Sequence, residues 1–227
     1  MKKLIAVLLA GCMLFILAGC LADEDVRGNI TDNSGATNSV SEEQETIEPE
    51  FSMGKTTGKN YENKFLSIGC NLDDNWTFST DEQIKELNNI ASDAMGEDIA
   101  KQIENSEIIY DMQATHSNGT DNININLENM GLLGGISDLR TRLDNSIPMI
   151  KEALTNIGLS NIVTKNVTVE IDGKEFIGVD IVAEVSGMNF YERIFCMQKG
   201  KYMANITLAA FSEEAIEQIT DCFYIVK

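Results

Sequence analysis

Histidine and tryptophan each occur once and proline twice in 227 residues, and bases are outnumbered by acids 17 to 36. A single histidine, His116, forces every Ser–His or Cys–His mechanism through one position beside the Ser117-Asn118-Gly119 turn. No Gly-x-Ser-x-Gly or Ser-x-x-Lys motif accompanies it, so it reads as a surface loop residue. Metal sites built from several histidines or from Cys-x-x-Cys pairs are excluded by composition, and no cofactor motif is present. The formal charge of −19 repels phosphate backbones. That excludes a general nucleic-acid binder, whose footprint is a basic face, and favours neutral or cationic partners.

What is there begins with an N-terminal pattern. Within residues 1–19, Lys2 and Lys3 form a positive region ahead of an apolar run from Leu4 to Ala18. The run is shorter than the ~20 residues a membrane span needs and ends in small residues suited to cleavage. Leu17-Ala18-Gly19-Cys20 resembles the lipobox of bacterial lipoproteins. The resemblance implies cleavage before Cys20, a diacylglyceryl group on its sulfur with acyl chains such as palmitate, and a protein held on the extracytoplasmic face of the cell membrane. Two or more chains make such an anchor stable, where one gives only reversible binding. An uncleaved anchor helix with an incidental Cys20 is the competing reading. Charge, length, small residues and cysteine all favour the lipoprotein.

Residues 20–54 read as the lipidated cysteine and an acidic linker. Positions 21–50 hold nine acids, one base and scarcely any large apolar side chain. Such a stretch buries too little surface to offset its ordering entropy and is expected to be disordered. It would reach roughly 100 Å when extended and span about 30 Å relaxed. No second apolar segment of spanning length follows.

From residue 55 to 227 the text becomes that of a globular domain. Leu66, Ile68, Cys70 and Leu72 alternate ahead of the Asp73-Asp74-Asn75 turn and Trp76. Thr80-Asp81-Glu82-Gln83 is a capping box, and it predicts a helix carrying Ile84, Leu87, Ile90, Ala91 and Ala94 inward. Gly96 interrupts that pattern before Ile99 and Ile103. Strands follow at Ile108–Ala114 and at Asn122–Leu127, where Asn122, Asn124 and Asn126 alternate with apolar residues to give a dry face and a wet one. Leu139 to Ile157 recur at helical spacing, with Pro148 expected to kink the helix or start a new one. Ile162–Ile171, Lys174–Val185, Asn189–Gln198 and Tyr202–Phe211, joined by short glycine turns, predict a four-stranded antiparallel meander. A last helix from Ser212 turns Ile216, Ile219 and Phe223 inward. The order implies an α+β fold with one antiparallel sheet and helices packed against it.

Three segments, KNYENKFLSIGCNLDDNWTFST, YDMQATHSNGTDNININLEN and YERIFCMQKGKYMANITLAAFSEEAIEQI, resemble secreted lipoproteins of anaerobic Gram-positive bacteria whose globular part is PsbP-like. The resemblance spans about residues 55–227. It implies an α/β/α sandwich around a mainly antiparallel sheet, in an anchored extracytoplasmic protein, and it implies no reaction and no shared functional residues.

Cys70, Cys196 and Cys222 allow one disulfide and one leftover thiol in an oxidising exterior. Cys70 lies on an apolar strand face and Cys222 fits the inward stripe of the last helix, which favours buried free thiols over a bridge. Asp73/Asp74 and Asp81/Glu82 are turn and capping residues. They lack the spacing of a calcium loop or the facing geometry of a glycosidase pair. Trp76, Phe78, Tyr110 and the methionines complete a core or line a ligand groove beside the Asn122/Asn124/Asn126 amides, which suit a sugar or peptide. The function this favours is a non-enzymatic binding or scaffolding role at the cell surface, with a protein, peptide or glycan partner. A carboxylate-dependent surface hydrolase is the alternative. Cys20→Ala is expected to abolish metabolic lipid labelling and release the protein from the membrane. Unchanged anchoring would contradict the lipoprotein reading.

Overall fold

The computed structural model describes residues 51–94, 108–130 and 138–227, with the backbone alone for 88–94. The expected signal segment 1–19, its Leu17-Ala18-Gly19-Cys20 motif and nearly all of the expected linker 20–54 lie outside these residues. So does the second half of the first helical pattern, with Gly96, Ile99 and Ile103.

In chain order the elements are β1 (Lys55–Thr57), β2 (Asn60–Asn63), β3 (Ile68–Asn71), β4 (Trp76–Phe78), α1 (Asp81–Ala94), β5 (Ile108–His116), β6 (Asn122–Asn129), α2 (Leu139–Asn156), β7 (Ser160–Ile171), β8 (Lys174–Val185), β9 (Met188–Lys199), β10 (Tyr202–Ala210), α3 (Glu213–Thr220) and β11 (Phe223–Ile225). A seven-stranded antiparallel sheet runs in the order β4-β5-β6-β10-β9-β8-β7. A second sheet, β1-β2-β3-β11, is also antiparallel. The class is α+β, as expected.

The meander folds where its turn chemistry places it. Asp172-Gly173 and Ser186-Gly187 both take positive φ at two successive positions, as a type I′ hairpin turn requires, whereas in the third turn Gly200 alone does. Strand lengths and register follow from these turns.

The main sheet is covered on both faces. On its front face Ile123, Ile125, Leu127, Ala204, Ile206 and Leu208 join one apolar cluster with Tyr61, Leu66, Ile68 and Cys70 of the small sheet and with Ile216 and Ile219 of α3. On its back face α2 lays Leu143, Ile150 and Leu154 against Val179, Ile181, Ala183 and Ile194. At the far side of the back face Ile84 and Leu87 of α1 pack on Tyr110. Helices therefore flank the sheet on both sides, and the front layer is shared with a second sheet.

The single sheet expected from the sequence is thus two. The alternating residues Leu66, Ile68, Cys70 and Leu72 cap an apolar front face already complete in strands, rather than extending it. Phe223, expected on the last helix, pairs with Cys70 in β11 instead.

Local signals set the helix starts. The Thr80 hydroxyl accepts from Gln83 N at 3.3 Å while Thr80 N donates to Gln83 Oε1 at 2.8 Å, the reciprocal pair of a capping box. Asp138 and Ser212 cap α2 and α3 by accepting from Thr141 N and Ala215 N. Pro148 lies inside α2, which continues through it. Its ring has no N–H to give the Asp144 carbonyl, and the surrounding helix tolerates that loss.

Two polar nodes tie the layers together. Asp111 is the extra residue of a bulge in β5, where the register to β6 slips between Tyr110 and Met112. The bulge turns its carboxylate toward the small sheet, where it accepts from Gly54 N at 2.7 Å, Asn63 Nδ2 at 2.7 Å and the Tyr61 hydroxyl. The Tyr61 ring lies where a Cβ on residue 54 would be, which makes Gly54 obligatory there. On the same side Arg193 of β9 clamps Asp180 through Nε at 2.7 Å and one terminal nitrogen at 2.9 Å. It reaches Glu217 of α3 at 2.8 and 2.9 Å.

Asp111→Ala removes the acceptor from three donors at a buried position and is expected to cost roughly 3 kcal/mol. Asp111→Asn, which keeps an acceptor, should cost less. Urea unfolding monitored by Trp76 fluorescence measures both.

Candidate functional site

The asparagine face of β6 is not wet. Asn122, Asn124 and Asn126 are all buried, because β6 sits in the middle of the sheet between β5 and β10 and both faces are covered. Alternation reported a change of chemistry across the strand, and the expectation of solvent on one side was wrong.

Pairing extends the polar face. On β10, Asn205 stands opposite Asn126 and Thr207 opposite Asn124. On β9, Cys196 stands opposite Asn205, and Glu192 stands opposite Ala209, which itself faces Asn122. Glu128 closes the far end of β6. The result is a buried polar stripe on the back face, running between the α1 cluster on one side and the α2 cluster on the other.

Part of the stripe is internally bonded. The Cys196 thiol donates to Asn205 Oδ1 at 3.2 Å, Asn205 Nδ2 to Asn126 Oδ1 at 3.3 Å, and Asn126 Nδ2 to Asn124 Oδ1 at 3.5 Å. Asn205 and Asn126 each accept with the side-chain oxygen and donate with the nitrogen, so the direction of the row is set from the cysteine end. The last nitrogen, Asn124 Nδ2, has no partner. Asn122 Nδ2, Thr207 Oγ1, Glu128 Oε2 and Glu192 Oε2 have none either. A buried polar atom left in that state costs about 1–3 kcal/mol, and native interiors hold few of them.

Burial also moves the acids. The Glu192 carboxyl is pushed up to about 8 by desolvation, and the Glu128 carboxyl to about 7, where the Arg142 guanidinium partly opposes the rise. Desolvation likewise raises the Cys196 thiol to about 12 and lifts Cys70 further. Neither is a thiolate at neutral pH.

These acids do not form a hydrolytic pair. Glu128 is level with Met203 and Glu192 with Ala209, six residues further along β10. At ~3.4 Å per residue the two carboxyls are roughly 20 Å apart along the strands, against the roughly 5–9.5 Å of a glycosidase pair. Asp111, the third buried acid among the described residues, lies on the front side.

The other candidates separate. Trp76 is buried and Phe78 half-buried, both with the front cluster, whereas Tyr110 is buried at the back, so these rings line no common groove. His116 ends β5 rather than lying in the loop. Its ring stands edge-on to Trp76 with centroids 5.2 Å apart, and Nδ1 accepts from Asn118 N. Asp73 caps its own turn by accepting from Asn75 N at 2.8 Å, and Asp81 and Glu82 are exposed in the first turn of α1. Cys70, Cys196 and Cys222 are free thiols. Cys222 sits two residues past α3, half-buried, rather than on its inward stripe. No group of three His, Cys, Asp or Glu side chains that could hold a metal occurs among the described residues. No helix among them is long and apolar enough to cross a membrane.

Glu128, Glu192, Asn205 and Thr207 escaped the sequence reading because each stands alone in its own strand. Only the β6–β10–β9 register gathers them.

No family model and no curated protein matches the chain. Among solved structures it is similar to LpqN of Mycobacterium tuberculosis, described as involved in cell envelope biogenesis. The TM-score is 0.40 at 9% sequence identity, with 70% of this chain and 83% of that chain covered. A likeness that loose bears on neither ligand nor activity, and the PsbP resemblance rests on the three sequence segments alone.

The raised acids give the stability a sign. A carboxyl held near 8 in the fold and near 4.5 when unfolded keeps its proton longer in the native state. Its contribution is therefore complete below about pH 4.5 and lost as pH rises through 8. The urea midpoint is expected to fall between pH 5 and 8.5, and Glu192→Gln should remove a substantial part of that fall.

Proposed function

We propose that the protein has a non-enzymatic binding or scaffolding role at the cell surface, anchored by lipid at Cys20 to the extracytoplasmic face of the cell membrane. The observation that supports it is the Leu17-Ala18-Gly19-Cys20 motif ahead of an acidic spacer and a folded domain in which the buried acids Glu128 and Glu192 stand too far apart along the strands to act as a pair. The anchor rests on the Leu17-Ala18-Gly19-Cys20 motif, and the acidic residues 21–50 supply the spacer.

The hydrolase alternative loses its support in the separation of Glu128 from Glu192. The thiol chemistry of Cys196 is suppressed by burial, and nucleic acid is disfavoured by the charge of the chain. A peptide, a protein segment or a glycan remains the partner class.

Detergent extraction of the full chain from the membranes of the producing bacterium, followed by native mass spectrometry, is expected to show an acylated protein together with a co-purifying partner. Incubation should leave that partner chemically unchanged. Its conversion to a new product on the protein would replace the binding role with an enzymatic one.

A further inference from the structure

We infer that the open outer edge of β7 takes on an extended, basic peptide segment as a further strand, an inference that rests on the binding role just proposed and names the partner and its place.

The edge is long and uncovered. β7 ends the order of the seven-stranded sheet, runs over 12 residues, and has no strand on its outer side among the described residues. Native edge strands are kept short or shielded, because an unpaired row of N–H and C=O groups is a template for another chain. The opposite edge of the same sheet follows that rule, with only three residues in β4.

Arg140 of α2 shows which groups face outward. Its two terminal nitrogens donate to the Gly178 and Val167 carbonyls at 2.9 and 3.0 Å, and those residues are direct partners across β7 and β8. One guanidinium reaches both oxygens because both point into the seam between the strands. Alternation then directs the N–H and C=O groups of Thr164, Asn166, Thr168 and Glu170 at the open side.

The side chains along the edge set the chemistry of what fits. On the face that Val167 and Val169 share with the front cluster, Val163 is 63% exposed and stands opposite Val182, itself 38% exposed. Lys165 and Arg193 are balanced there by Asp180 and Glu217. On the other face Glu170 and Glu175, both exposed, are direct cross-strand partners, and neither is in an ion pair among the described residues. Like charges so placed repel. A lysine or arginine on an added strand lies beside Glu170 and relieves that repulsion, while apolar residues at alternate positions cover Val163 and Val167. Strand addition of this kind takes its affinity from main-chain bonds and its selectivity from alternate side chains.

Two other occupants fit less well. A second copy brings together chains that each carry a formal charge of −19. The chain's own residues 21–50, with nine acids and one base, add negative charge beside Glu170.

The test is fluorescence anisotropy on the full chain in detergent. The probe is a capped, labelled peptide of alternating valine and lysine, about nine residues long to match the regular pairing of β7. Binding is expected to weaken at least tenfold when glutamate replaces the lysines, and equally when proline at the centre keeps the charge but breaks the ladder. Thr168→Pro removes an outward N–H and no bond within the sheet, and should lower affinity at least tenfold while urea unfolding stays cooperative. Glu170→Lys should reverse the preference toward the glutamate peptide and unfold at a urea concentration no lower than the wild type, since an attracting pair replaces a repelling one. Absence of binding, or equal binding of the proline peptide, would overturn the strand addition and leave the anchored, non-enzymatic role standing. A dimer in analytical ultracentrifugation that Thr168→Pro dissolves would overturn it by placing a second copy on the edge. Recovery of cleaved peptide would overturn the non-enzymatic role instead.

Discussion

Covering both faces of the main sheet is the constraint from which the rest of the molecule follows. Once the small sheet and α3 close the front and the two other helices close parts of the back, every side chain on the middle strands β6 and β10 except Asn129 and Tyr202 at their ends is withdrawn from water. On the front this is favourable, since the residues there are isoleucine, leucine and alanine. On the back the same strands bring asparagine, threonine and glutamate inside, and a packed interior gives those groups few ways to recover the hydrogen bonds they leave behind.

The contrast with the satisfied polar nodes is instructive. Asp111 and Arg193 are also withdrawn from water in whole or part, yet each is surrounded by matched partners, three donors for the one and two carboxylates for the other. The bulge at Asp111 shows how much local distortion the chain accepts to complete such a set. No comparable device completes Asn122, Asn124 or Thr207. The fold solves this problem twice on its front side and leaves it open on its back side, where those atoms stay packed without partners.

Much of the architecture was legible in the residues. The meander from Ser160 to Ala210 could be drawn from its glycine turns, because a type I′ turn fixes register locally. The capping box at Thr80 and the cap at Ser212 located their helices for the same reason. The second sheet was not legible. Strands of three and four residues carry little periodicity, and whether Ile68 and Cys70 join a sheet or lie across one depends on partners distant in sequence. The stripe was half legible. Asn122, Asn124 and Asn126 stood out, but alternation cannot tell a wet face from an interior polar one, and Asn205, Thr207 and Glu192 joined them only through strand pairing. The proposed anchor motif stands apart, since a processing enzyme would read it as text and it owes nothing to the fold.

The strand order has a further meaning for assembly. Strands β7 to β10 join through short turns, so their contacts are local, whereas β6 meets β10 across a gap of 79 positions between Asn126 and Asn205. The loop-closure entropy of the domain therefore falls on the longer-range pairing of β3 with β11 and on this β6–β10 seam. Both banks of the polar stripe lie along it, one from each half of the chain. That seam couples the two halves of the chain, and its loss would part them before either half came undone.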